Sequence, residues 1–376
     1  MDFIISNRYD TSMTSLKHRL LEYYEKNETK VDIAFFLGGF VFDVLTLSDV
    51  DDPLGIAQQI VYLGVIGLIL FYDFLSTHGL TQINPRISKY WEYRNLAVHF
   101  LLGSLLSVYS LFFLKSASIF SSIVFVGLMM GIMIANELKS VQKAAVDLKV
   151  GLYVICLFAF FSMTIPVLLG FVGVTTFLAS IILTGVVVYY AYHLLKKKVN
   201  NQKLLLRTLA LPGFSVLGLF VILYFIGWIP PVPLTVQNMG VYHSVEKIEG
   251  KYLLSHENPS WRFWQTGDQD FIAEPGDKIY FFVKIFSPAR FDDSVVVHWY
   301  YKDPRQGWIS TDKVPMRISG GRKEGFRGFA MKQNYTAGEG RVSVETTDGR
   351  EIGRIYFNVT KTEQASTDRR FTIEIM

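Results

Sequence analysis

Seven windows of about 20 residues, almost free of charge, dominate the first two-thirds of the chain. They run roughly over 31–48, 53–75, 96–114, 117–136, 148–170, 174–195 and 210–229. A bilayer's hydrocarbon core is about 30 Å thick and takes about 20 residues of helix to cross. The windows therefore predict a seven-span helical membrane bundle over 31–230. Half of all residues are hydrophobic and only 19% are charged, and the charges gather between the windows or after them.

After Pro230 the texture changes. Residues 231–376 carry 20 Lys/Arg and 19 Asp/Glu in short apolar runs. "DKIYFFVKIFS" and "SVVVHWYY" are rich in β-branched and aromatic residues, as strands require. "RVSVETTDGREIGRIYFNV" is two alternating runs about Asp348-Gly349, which predicts a hairpin with a type I′ turn. Some seven to nine short strands without a helix predict an all-β, immunoglobulin-like sandwich over 241–376. Pro230, Pro231 and Pro233 read as a short stiff stem over 231–240. Residues 1–30 are polar, with an amphipathic stretch at "TSLKHRLLEYYEK" and no cleavable leader.

Lys and Arg sort the loops. The N-terminal segment and the second, fourth and sixth loops hold sixteen; the first, third and fifth hold Lys115 alone. Positive charge stays on the cytoplasmic side. The N-terminus is thus expected inside and, after seven spans, the β domain outside.

The chemistry-bearing residues are few. Asp43 is the one carboxylate well inside a window, with Gln58 and Gln59 its expected neighbours from the second span. Beyond it lies an acidic outer turn, Asp49, Asp51 and Asp52, in which Asp52-Pro53 is suited to start a helix. Calcium-loop spacing fails, because Pro53 and Leu54 stand where a ligand and a glycine belong. Asp73, His78, His99, Glu137 and His193 fall near the cytoplasmic boundary and read as solvated.

Gly127 and Gly131 form a close-packing G-x-x-x-G pair, for a neighbouring helix or a second copy. In the outer domain, Trp261, Arg262 and Trp264 suit a recognition surface that stacks on a sugar, grips a partner or dips into headgroups, although the favoured reading is that the rings fill the sandwich or its contact with the membrane domain. His298 and Trp299 share one strand, and His298 there reads as a packed strand histidine sooner than as a ligand-binding one.

The "GGFVFDVLTLSDVDD" stretch, with "FFVKIFSPARFDDSVVVHWYYKD" and "GRVSVETTDGREIGRIYFNV", resembles a bacterial family of polytopic membrane proteins. Its C-terminal module is domain of unknown function 2914. The resemblance implies a bacterial cytoplasmic-membrane protein with an extracytoplasmic β-rich domain, and no reaction.

Catalysis is not expected. The last span has no lysine for a Schiff base, the spans have too few histidines for a zinc site, and Cys156 is the single cysteine. No cofactor or metal and no nucleic-acid partner is expected. The expected partners are membrane lipids, a cell-envelope protein or glycan, and a second copy of the chain. Two functions remain: a membrane-anchored interaction or sensory protein, or a small-ion or proton-coupled transporter using Asp43.

Overall fold

The computed structural model describes residues 49–136, 146–199, 201–259, 261–262, 264–289, 291–319, 325–364 and 369–376. The helices are α1 Pro53–Thr77, α2 Pro85–Trp91, α3 Arg94–Lys115, α4 Ile119–Asn136, α5 Val146–Leu169, α6 Val174–Lys196 and a composite α7, Gln202–Phe225. Five of them, α1, α3, α5, α6 and α7, are long and apolar enough to cross a membrane, and α4 is a shorter apolar helix. Six of the seven windows thus find a helix. The window 31–48, with Asp43, lies outside the described residues.

Each start follows local chemistry. Asp52 caps α1, its carboxylate accepting from Gly55 N at 3.1 Å, and Pro53 fills a position where no N–H is needed. Helix α7 starts well before its window and contains a π turn at Leu206–Ala210, just ahead of Pro212. Proline has no N–H to return to the carbonyl one turn back, and a widened turn is a usual accommodation.

Phe158 and Phe220 stack at 4.1 Å, and Phe177 and Tyr224 at 3.7 Å, in the bundle core. Close helix approach occurs at Gly67 and Gly213, where a Cβ would meet Tyr153 at 2.6 Å and Val188 at 2.9 Å. A Cβ at Gly127 or Gly131 would meet nothing within 4 Å among the described residues.

The β domain has eleven described strands in three sheets. One holds β1 (Thr235–Tyr242), β5 (Ile279–Phe286) and β8 (Phe326–Lys332), in the order β1-β5-β8. The second, β4-β10-β9-β6-β7, is built from β4 (Asp270–Ala273), β6 (Asp292–Asp303), β7 (Gly307–Ser319), β9 (Gly338–Thr346) and β10 (Glu351–Lys361). These two face each other across Phe281, Val283, Ile285, Val295, Val297, Trp299, Val342, Val344 and Phe357. A third sheet, β11-β3-β2, from β2 (Ser244–Ile248), β3 (Lys251–His256) and β11 (Thr372–Ile375), packs Val245, Tyr252 and Leu254 on Phe282, behind the first.

The architecture is therefore a sandwich with a third layer. That explains why "IYFFVKIF" alternates poorly: β5 is covered on both faces, Phe281 entering one core and Phe282 the other. The β9–β10 hairpin also departs from the type I′ expectation. Gly349 alone has a positive φ, +85°, and its N–H bonds Thr346 O, whereas type I′ needs positive φ at both central residues.

The stem read over 231–240 is not a spacer. Val232 packs in the bundle core, Leu234 in the sandwich core, and β1 is already running at Thr235. Val172, from the α5–α6 turn, is also buried in the sandwich core.

Candidate functional site

Two regions of the β domain carry polar chemistry: the seam against the bundle and the end remote from it. At the seam, the turns before α1, between α3 and α4 and between α5 and α6 all meet the β domain. Ala289 N donates to Asp51 at 3.0 Å, and Ser116 bonds Thr235 at 3.3 Å. Val172 N donates to Asp293 at 2.9 Å, and Asp292 N to Gly170 O at 2.9 Å. Ser118 donates to Glu351, which also holds Arg354.

The Asp348-Gly349 hairpin points into the bundle. Tyr224, near the end of α7, donates to Asp348, and the Arg350 guanidinium lies 4.8 Å from the Tyr224 ring centroid. Arg350 and Thr346 also bind Asp348. The acidic turn thus serves as a docking ledge: Asp52 caps, Asp51 accepts from the β domain, and Asp49 is exposed. Gln58 is exposed and bonds Tyr62, and Gln59 is partly buried. Their expected neighbour Asp43 lies outside the described residues.

At the opposite end of the bundle the structure corrects the solvated reading of two residues. Asp73 and His99 are buried, Asp73 paired with Arg94 and His99 bonded to Asn136 at 3.2 Å. Lys149, also buried, donates to Asn95 at 2.9 Å. These pairs join residues 21 to 54 positions apart, a proximity no local pattern announces.

Trp261 and Trp264 do not fill the sandwich. They are 63% and 61% exposed, edge to face at 5.6 Å between centroids. Arg262 lies over Trp261 at 5.2 Å and is held by Asp270 at 2.9 Å.

Register shows where this patch sits. Asp270 pairs with Asn358 on β10, whose first residue, Glu351, is at the seam. Seven residues at about 3.3 Å each put the patch about 23 Å beyond the seam. It therefore faces away from the bundle, which disfavours the headgroup role for the tryptophans.

His298 and Trp299 are not surface residues. His298 is buried among Ser310 at 2.6 Å, Tyr300 at 2.7 Å and Glu345 at 3.2 Å, and Trp299 is in the sandwich core. The sequence reading missed a cavity of about 550 Å³ at the remote end, with Tyr301, Asp312, Lys332, Tyr335 and Glu339 among its walls.

A buried charged cluster ties the C-terminal tail to the domain. Arg369 binds Glu257 and Asp277, and His243 lies 3.4 Å from Asp268 and 3.5 Å from Glu257. Burial pushes the Asp268 carboxyl up to about 6 against the pull of the Glu257 and Asn258 N–H groups. Burial, then Arg369, pushes His243 down to about 4 against Asp277. Asp268 thus contributes stability that is full below its ordinary 3.8 and is lost as pH rises through about 6. His243 contributes stability present above 6.5 and lost as pH falls through about 4, so the two oppose each other. Between pH 7 and pH 4.5, the margin in melting temperature of wild type over Asp268→Asn should widen on acidification; differential scanning fluorimetry reads it.

Among the described residues no group of three or more His, Cys, Asp or Glu could hold a metal ion. No curated protein matches the chain. Among solved structures, it is similar to an immunoglobulin-like protein from Pseudomonas aeruginosa, at 14% identity and TM-score 0.21, over 34% of this chain and 98% of that one. It is also similar to a beta-glucosidase from Listeria innocua in complex with isofagomine, at 9% identity and TM-score 0.19, over 36% and 17%. Residues 292–359, from β6 to β10, hold the Asp348, Arg350 and Glu351 side of the seam and much of the remote cavity. They match the family model described as "Protein of unknown function (DUF2914)", so the chain carries a DUF2914 domain in its C-terminal region.

Proposed function

We propose that this chain is a membrane-anchored interaction or sensory protein of the bacterial cytoplasmic membrane, whose outward-facing β domain binds a cell-envelope protein or glycan and catalyses no reaction. One observation carries the reading: the exposed Trp261–Trp264 pair lies at the end of the β domain remote from the helices. Large paired aromatics beside an arginine are the usual composition of binding hot spots and are costly to leave in water.

The seam supports a display role. Hydrogen bonds from three bundle turns, together with Val172 in the sandwich core, hold the domain at one orientation. The Lys/Arg-poor turns lie at the seam, which under the charge rule supports an outward-facing β domain. The test is what the intact chain captures with and without the Trp pair. Trp261→Ala/Trp264→Ala should lose the captured component while remaining folded.

A further inference from the structure

We infer that the cavity at the remote end of the sandwich is a binding site for an uncharged saccharide unit. This deepens the proposed binding role of the outer domain and rests on it. At about 550 Å³ the cavity lies within the roughly 300 to 1,000 Å³ of small-molecule sites. It opens where β6 and β10 end and β9 begins, between the sheet of β8 and the five-stranded sheet.

Its walls carry the aromatic rings of Tyr301, Tyr335, Phe357 and Trp299, and its polar groups include Asn334 and Thr336 beside charged side chains that are already paired. Lys332 donates to Asp312, and to Thr311 at 3.2 Å, while Glu339 is held by Lys302 at 2.8 Å. Each carboxylate already has its cation, so a net-charged ligand would find no free counter-charge among these pairs. A sugar suits the arrangement, with C–H faces to lie on the rings and hydroxyls to exchange hydrogen bonds with the paired charges.

A second observation points to a ligand atom. Trp299 is 1% exposed, and its indole N–H has no acceptor among the described residues. Buried donors are nearly always paired, so this N–H is an unmet donor beside the cavity that Trp299 lines. Tyr335 is held by its hydroxyl, which donates to Asp277 O at 2.8 Å, so that part of the wall is preset.

Calorimetric titration of the detergent-solubilised full-length protein tests this, using N,N′-diacetylchitobiose and cellobiose as neutral probes and an unsaturated chondroitin disaccharide as the acidic one. Saturable binding of a neutral probe is expected, weakened at least about tenfold by Tyr301→Ala and severalfold by Trp299→Phe, which keeps one aromatic ring but loses the N–H donor together with the five-membered part of the indole. Ile248→Ala, at an exposed position outside both the cavity and the tryptophan pair, should leave that binding unchanged. Absence of neutral-probe binding, equal binding by Tyr301→Ala, or preference for the acidic probe overturns the assignment. If neutral probes fail while the Trp-pair variant still loses its captured component, the cavity assignment falls and the broader binding role stands.

Discussion

Gly267→Ala is expected to destabilise the β domain by about 3 kcal/mol. Gly267 has φ +65°, and a Cβ there would lie 2.1 Å from the Val241 carbonyl oxygen, a backbone atom that no rotamer change can move. It also forms a parallel bridge with Val241, and the next N–H, that of Asp268, donates to the same carbonyl at 2.6 Å. Relieving the clash therefore breaks that bond and displaces the loop that displays Trp261 and Trp264. Gly276 separates the two causes: its φ is +92°, but a Cβ would meet nothing within 4 Å among the described residues. Gly276→Ala should cost only about 1 kcal/mol, the backbone strain alone. Pulse proteolysis of the two variants in detergent measures the difference.

Glu351→Ala is expected to weaken the seam by about 3 kcal/mol. Glu351 is buried, accepts from Ser118 of the bundle and pairs with Arg354, which itself lies over Phe120 of α4 at 5.2 Å. Removing the carboxylate leaves a part-buried guanidinium without its anion and a buried serine hydroxyl without its acceptor, and such losses exceed the worth of an intact pair. Ser118→Ala alone should cost only about 1 kcal/mol, since a neutral donor is lost while the Glu351–Arg354 pair remains. Hydrogen exchange at β10 and at the α3–α4 turn should quicken in Glu351→Ala. Additive effects of the two substitutions in the double variant would show that the Ser118–Glu351 bond does not couple the domains.

Helices were readable from sequence because lipid tolerates so few charges: windows lacking them map onto α1 and α3 to α6 with small end shifts and onto α7, which starts about two turns early. Capping by Asp52 was readable for the same local reason, a polar side chain directly before a proline. The third sheet was less so. The Phe281-Phe282 pair breaks strand alternation, and its meaning, two cores sharing β5, depends on what packs behind.

The candidate site was legible as residue types and not as places. Trp261 and Trp264 have the same composition whether buried or exposed, and only the β4–β10 register puts them at the remote end. His298-Trp299 drew attention as a pair, yet adjacent strand residues point to opposite faces: one joins Glu345 and Tyr300, the other the core. The cavity gathers residues from β6, β7, β8, β9 and β10, so no contiguous motif could announce it. Val172 was hidden in an apolar turn between two spans.

The most direct measurement treats intact cells producing the full-length chain with a membrane-impermeant crosslinker, then purifies the chain and identifies what is attached. A wild-type chain should carry a cell-envelope protein or glycan, reduced at least about tenfold in Trp261→Ala/Trp264→Ala, whose stability should stay within about 0.5 kcal/mol of wild type. Capture that is equal in the variant, or that appears only after the cells are broken open, would contradict an outward-facing domain that binds through its remote end.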